Sequence, residues 1–369
     1  MKHKTLFLLP LLLLTSCNQT SISKPQEETM TIIDMKDRTV VLKKDIERIC
    51  ITFNIEEYLA IGGKGSEDMI VGLSHSYWKG RRNDAYDAYL SCLPSLKDKT
   101  DIGYAATLNV ETIINTRPDV VLASKAADYT YLESNLSLLE KAKIPVVFFD
   151  YHTDTKETIR KSNEILGKIL HQEKRAEEIS DYYDSKVTPI FEKAKTIRQE
   201  ERPNVYMEFS KGKDIYGNTW SNKMWGSLIE QVGGNNIAKD ISDANSVDMA
   251  KEAIIAKNPD LIVLSGCLQS GLSGNVILGY NQKEDTARKN LESYLTRPEW
   301  KTLPAVRNRN LKAVYHDLSR HVFDFAGVMF LAKACQPEIF NDLNPLDDLK
   351  DFFRTYMPFE LQGTFMVEL

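Results

Sequence analysis

The sequence predicts an α/β protein with two parallel-sheet lobes, and three observations carry that prediction. Seven short apolar runs, RICITF, MIVGLS, DVVLAS, PVVFFD, NVYMEF, DLIVLS and LKAVYH, alternate with helical patterns along the chain. Continuous apolar strands between helices mark parallel sheets covered on both faces. The runs form two series, separated by a helical stretch from about Thr155 to Gln199 that is broken near His171 and carries Pro189. Its Ile159, Ile165, Leu166 and Ile169 recur at roughly helical spacing. The third observation is an internal repeat, one copy in each series.

The amino terminus reads as a leader. Lys2 and Lys4 precede an apolar run from Leu6 to Leu14 that Thr15 and Ser16 close, which is signal-peptide architecture. The run is too short for a hydrocarbon core that needs about twenty residues. Residues 1–16 are therefore assigned to a signal peptide and excluded from the fold. Leu14-Thr15-Ser16-Cys17 resembles the lipobox of bacterial lipoproteins, in which the cysteine becomes the lipidated first residue. Residues 17–30 are polar after Cys17 and read as a lipidated tether. The expected location is outside the cytoplasm, on a membrane reached through the lipid at Cys17.

Loss of residues 1–16 removes two lysines and moves the formal charge from −5 to −7. That balance excludes nucleic acid as an expected partner. Some 350 mature residues exceed what one core usually serves, so two lobes are expected. Cys50, Cys92, Cys267 and Cys335 show none of the close spacings of metal knuckles. Cys50 and Cys335 lie in apolar runs and read as packing residues.

The first lobe is assigned to residues 31–172, the connecting helix to 173–200, and the second lobe, with a helical tail, to 201–369. In the repeat, Glu111-TIINTR-Pro118-Asp119-VVLA-Ser124 aligns without gaps with Glu252-AIIAKN-Pro259-Asp260-LIVL-Ser265, and six of fourteen positions are identical. Each copy reads as a short helix opened by a glutamate, where the helix dipole favours negative charge, and stopped before a proline that leads into a buried strand. Gly62-Gly63 precedes Glu111 by 48 residues, whereas Gly233-Gly234 precedes Glu252 by 18. The first lobe therefore carries about thirty extra residues, placed at 76–100 and rich in aromatic and basic side chains. An insertion of that length reads as a functional element such as a lid.

The residues as a series resemble the bacterial periplasmic binding proteins for ferric siderophores, haem and cobalamin, from about Thr31 to Phe353. TIIDMKDRTVVLKKDIERI is similar to the family's opening hairpin, with Lys36 or Asp37 where glycine is usual. The AIGG turn, both E-x6-P-D segments, Glu230-QVGGNNIA, Leu303-PAVRNRNLKAVYHD and Gly327-VMFLAKACQPEIF continue the likeness in order. The resemblance implies two lobes joined by a single long helix, with a ligand cleft between their facing loops. It implies a monomeric solute-binding lipoprotein, not an enzyme, that captures a small metal chelate, here an iron complex, and delivers it to an ABC permease. Glu111 and Glu252 match the family's permease-docking glutamates.

Ligands in parallel sheets lie beyond the carboxyl ends of the strands. That rule and the aromatic and basic side chains nominate His75, Tyr77, Trp78, Tyr104, Lys125, Tyr151, Tyr216, Asn218, Trp220, Ser246, Arg320 and His321 as ligand-binding residues. Flat aromatics suit a macrocycle or catecholate face, and cations suit an anionic ferric complex. No cofactor and no resident metal site are expected. The rival readings are cobalamin or haem on the same fold, and a divalent-metal-scavenging lipoprotein not coupled to import. Against cobalamin, Ala105 and Ser246 stand where that branch carries tryptophans, six residues before each glutamate. For haem, Tyr104 or His75 is the candidate iron ligand. For a naked metal, His75, His152, His316 and His321 are the candidates. No GxSxG, HExxH or P-loop is present.

Overall fold

A computed structural model describes residues 28–152, 156–244, 246–269 and 272–369. The leader, Cys17 and nearly all of the 17–30 tether lie outside the described residues. Among the described residues, no helix is long and apolar enough to cross a membrane.

All seven apolar runs become strands of two five-stranded sheets. The first sheet is parallel throughout, in the order Thr100–Asp101, Ile70–Leu73, Ile49–Ile51, Val120–Ser124, Val146–Phe149. The second runs Asn235–Asn236, Asn204–Phe209, Leu261–Gly266, Leu311–Tyr315, Met366–Glu368. Its last strand pairs antiparallel with Leu311–Tyr315, so this sheet is mixed rather than wholly parallel. The chain's final residues supply that edge beyond the helix Pro345–Tyr356, where the sequence pattern indicated only a helical tail. Leaving out the two extra edges, the lobes share one strand order, as a duplicated unit requires.

The repeat acquires a physical meaning in these sheets. Both short helices, Val110–Thr116 and Lys251–Lys257, end on a left-handed residue, Arg117 at φ 50° and Asn258 at φ 49°. The aspartate two positions on then clamps the neighbouring strand. Asp119 Oδ2 accepts from Arg48 N (2.8 Å) while Asp119 N donates to Arg48 O. Asp260 Oδ2 accepts from Asn204 N (2.9 Å) while Asp260 N donates to Asn204 O. One device thus fixes the start of the strand that comes first in chain order in each sheet, Ile49–Ile51 and Asn204–Phe209. The glycine pairs also agree: Gly63 (φ 72°) and Gly233 (φ 89°) each follow a helix in a left-handed conformation that favours glycine.

The opening hairpin pairs Thr29–Ile33 with Thr39–Lys43. Its turn places Asp37 at φ 57°, the position at which glycine would be usual, and aspartate is among the residues that tolerate it. The expected helical stretch is two helices, Lys156–Leu170 and Glu173–Ala194, with His171 at φ 52° between them and Pro189 inside the second. Arg175 near the start of the longer helix donates to Ala60 O (2.7 Å) in the first lobe and Tyr356 O (3.0 Å) in the second. One guanidinium thus ties the connector to both lobes.

The insertion is not a lid. Helices His75–Arg81 and Asn83–Cys92, then a single 3-10 turn, bury Trp78, Arg82, Ala85, Tyr89 and Leu96 in the main core. Tyr89 packs edge-on against Tyr280 and Phe359 of the second lobe, with centroids 5.9 and 4.7 Å apart.

Candidate functional site

A cavity of about 550 Å³ opens between the lobes, at the carboxyl ends of both sheets. Successive strand ends deliver its lining. Phe53, Tyr104, Ala126, Ala127 and His152 come from the body of the first lobe, with Tyr77, Arg81 and Arg82 from its insertion. Phe209, Lys211, Asn218, Trp220, Met224, Ser246, Cys267, Gln269, His316, Asp317 and Arg320 come from the second. The volume falls within the range of about 300–1,000 Å³ typical of small-molecule sites.

Two aromatic clusters form facing walls. On one side Tyr77 lies 4.0 Å from Tyr104 and 5.3 Å from Phe53, centroid to centroid. On the other, Trp220 stacks on His316 at 5.6 Å and Phe209 lies 4.8 Å from the same imidazole. Each wall presents broad, stiff apolar area at low entropic cost. Met224 of the cavity lining (φ 48°) and Ala105, the neighbour of Tyr104 (φ 46°), hold backbone conformations that L-residues rarely adopt. Such outliers concentrate at binding sites, where surrounding packing enforces them.

The cavity's charge is predominantly positive. Among the described residues, Arg81, Arg82, Lys211 and Arg320 line it against a single carboxylate, Asp317. Arg82 is consumed by buried pairs with Glu56 (2.6 Å) and Asp317 (2.6 Å). Arg320 bonds Asp317 through Nε (3.0 Å) and lies 5.7 Å from the Phe53 ring. Burial opposes the charge of Asp317, but Arg82 and Arg320 outweigh it and hold the carboxyl well below its usual range. Among the described residues Arg81 and Lys211, one from each lobe, make no ion pair. Burial and then the Arg320 charge push both cavity imidazoles, His152 and His316, down to about 3, so both are neutral at physiological pH. His316 Nδ1 bonds Ser265 Oγ at 2.7 Å.

Tyr77, Tyr104, Asn218, Trp220, Ser246 and Arg320 of the nominated residues meet at this cavity. The other six do not line it. His75 spends Nε2 on Lys99 O (2.9 Å) and Nδ1 on Tyr86, anchoring the insertion. Trp78 is buried in the core against Tyr89. Lys125 is paired with Asp150 (3.0 Å). Tyr151 is buried with its hydroxyl donating to Asn163 Oδ1 (2.8 Å). Tyr216 lies over the Arg297 guanidinium and donates to Glu299 Oε2 (2.8 Å). His321 turns away from the cavity to bond Glu57 Oε1 (2.8 Å).

Sequence reasoning missed Arg81, Arg82, Phe209, Lys211, Met224, Cys267, Gln269 and Asp317. The strand-end rule held the signal for several, since Phe209, Lys211, Cys267 and Asp317 close or follow predicted strands. Glu111 and Glu252 open the two repeated helices and are exposed.

A family model described as periplasmic binding protein matches residues 52–317. The chain is 29% identical over 247 residues to an uncharacterized ABC transporter substrate-binding lipoprotein, YvrC, of Bacillus subtilis (strain 168), spanning 65% of this chain and 72% of that protein. It is 26% identical over 233 residues to a cobalamin-binding protein of Halobacterium salinarum (strain ATCC 29341 / DSM 671 / R1), spanning 62% of this chain and 57% of that one. Among solved structures, the TroA-like periplasmic binding protein FepB from Veillonella parvula superposes with a TM-score of 0.86 and 31% identity, covering 92% of this chain and 99% of the other. These likenesses are to solute-binding proteins and not to enzymes, and the family model covers most of the length that forms both walls of the cleft. The chain belongs to the periplasmic binding protein family.

Proposed function

We propose that this chain is the substrate-binding lipoprotein of an ABC importer and that it captures an anionic metal chelate of the ferric-siderophore class. The observation that carries the reading is the pair of cations without a carboxylate partner among the described residues, Arg81 and Lys211, beside the Asp317-bound Arg320 and between two aromatic walls. Such a cleft matches a bulky, flat-faced ligand with net negative charge. A bare divalent ion is disfavoured by the same cations, and only His152 and His316 of the four candidate histidines line the cavity. For haem, His75 is engaged elsewhere, which leaves Tyr104 as the candidate iron ligand. In this proposal Cys17 carries the lipid anchor, and the exposed Glu111 and Glu252 set the register of docking on the permease. Paired charges on opposite lobes give orientation and encounter steering more than affinity.

A second reading is cobalamin, favoured by the named binding activity of the Halobacterium relative. Against it, Ala105 and Ser246 stand at the two positions where the resemblance implies tryptophan, although Tyr104 and Ser246 both reach the cavity. The discriminating experiment titrates the soluble chain, begun after Cys17, with ferric siderophores, haem, cobalamin, nickel and zinc. Tryptophan fluorescence and the visible spectrum report binding. The expected outcome is a saturable response tightest for a ferric chelate. A tight response to nickel or zinc alone, or to cobalamin in preference to every ferric chelate, overturns the proposal.

A further inference from the structure

The extra residues of the first lobe cross to the second and meet it in a buried polar seam behind the cavity. Three segments contribute. The start of the helix Ile55–Gly62 brings Glu56 and Glu57, the insertion brings Arg82 and Asp84, and the loop after Leu311–Tyr315 brings Asp317, Arg320 and His321. Arg82 bridges Glu56 (2.6 Å) and Asp317 (2.6 Å), so one insertion side chain joins a carboxylate of each lobe. Glu57 of the first lobe accepts from His321 Nδ1 (2.8 Å) and Val322 N (3.0 Å) of the second. Asp84 Oδ2 accepts from Tyr280 N (3.1 Å), again across the lobes. Tyr89 adds its ring contacts to Tyr280 and Phe359.

Buried groups of both charge signs meet along this seam, with Asp84 as a further acidic member. Burial disfavours a proton on His321, but Glu57 and then Glu56 outweigh it and raise its pKa above the usual imidazole value. Glu56, Glu57 and Asp317 then face Arg82, Arg320 and His321, with Asp324, His152 and His316 as the remaining titratable neighbours of His321. Glu56, Glu57 and His321 also offer ligand atoms within 4.8 Å of one another. The Arg82–Glu56 pair and the His321–Glu57 hydrogen bond already engage one oxygen of each carboxylate in this group. Separating the lobes would expose or orphan every pair at once, and parting such pairs singly costs several kcal/mol.

We propose that the insertion is a fixed inter-lobe latch, bolted by Arg82, which holds the cleft at one width whether or not ligand is present. Arg82, Asp317 and Arg320 line the cavity as well as the seam, so the latch also fixes the binding wall. Ligand then enters a preformed slot and is selected by size and charge, without the domain closure common among two-lobe binders.

The test needs no ligand, and its outcome is independent of which solute is bound. Hydrogen exchange of the ligand-free protein, resolved to single amides, compares the seam amides of Tyr280 and Val322 with those of the central strand Leu261–Gly266. The expected result is seam exchange within about tenfold of the strand, because both open only with global unfolding. The double variant Glu56→Gln/Arg82→Met removes one charge of each sign and leaves Asp317 with Arg320 and Glu57 with His321. It should speed the seam amides by about tenfold or more, equivalent to about 1.4 kcal/mol, with the strand unchanged. If it loses strand protection as well, Tyr89→Leu, which keeps every charge, supplies the same readout. Seam amides of the wild type exchanging at the rate of surface loops, or unaltered by the folded variant, would overturn the latch.

Discussion

Arg320 is the cavity cation whose removal separates recognition from stability. Its guanidinium shares Asp317 with Arg82, whose Nε lies 2.6 Å from the other carboxylate oxygen. Arg320→Gln therefore does not orphan a buried carboxylate, and its cost to folding is that of a charge-assisted hydrogen bond, about 1–3 kcal/mol. The loss to an anionic ligand is larger. Removing an enclosed cation from a paired, desolvated contact costs about 2–5 kcal/mol, or roughly 30- to 5,000-fold in Kd. Arg320→Lys keeps the charge but not the planar fork and should fall between the two. The assay is a fluorescence titration with a ferric chelate at fixed ionic strength, in which Trp220 is the cavity reporter, beside a urea unfolding curve of each variant. A Kd within threefold of wild type refutes the assignment of Arg320 to the ligand. So does a loss of affinity that only tracks unfolding.

Three further expectations follow from single contacts. Trp220 lines the cavity whereas Trp225 is wholly buried and outside its lining; Trp220→Ala should cost about 2 kcal/mol or more of binding with a modest change in melting temperature, and Trp225→Ala should reverse that order at about 3–5 kcal/mol of stability. Arg297, gripped by Glu208 (2.8 and 3.1 Å) and the carbonyls of Lys213 and Ile215, shapes the loop that leads to Asn218; Arg297→Met strands the Glu208 carboxylate and should cost about 3–5 kcal/mol in urea unfolding, partly restored by adding Glu208→Gln. Burial raises Asp84 to about 7, against the opposing pull of Arg82. Its folded pKa lies above the unfolded value, so its contribution is whole below about pH 4 and is lost as pH rises through 7. Asp84→Asn should match wild type at pH 4 and gain on it by roughly 1 kcal/mol per pH unit up to 7, then level off; parallel stability curves would contradict this.

Much of the fold was legible because it is written in local pattern. The seven apolar runs, the break at His171 and the paired Pro-Asp turns each rest on residues whose neighbours in sequence decide their conformation. The edge strands Thr100–Asp101, Asn235–Asn236 and Met366–Glu368 were not legible, since two or three residues carry no periodicity and pair only because a longer strand is already in place. The site was legible to the level of the loop but not of the side chain. In HDLSRH, His316, Asp317 and Arg320 face the cavity while the adjacent His321 turns to Glu57. In KGRR, Arg81 lines the cavity while Arg82, one residue on, bolts the seam. Which way a loop side chain points is settled by partners distant in sequence, Glu57 for His321 and Asp317 for Arg82, and nothing in the local run encodes them. The insertion shows the same limit: its length suggested a lid, but its buried faces are complementary to residues near 280 and 359.

Proposed capture of an iron chelate and its proposed delivery through the two repeated glutamates are tested together by one measurement. Cells that depend on this chain are supplied with a radioactive ferric chelate, and uptake is compared between wild type and Glu111→Arg/Glu252→Arg. Both residues are exposed and lie outside the cavity lining, so the purified double variant should bind the chelate as wild type does. The predicted result is normal binding with uptake reduced by about tenfold or more, the effect of like charges set against the docking surface. Undiminished uptake by the double variant, or no uptake of any ferric chelate by the wild type, would contradict the account.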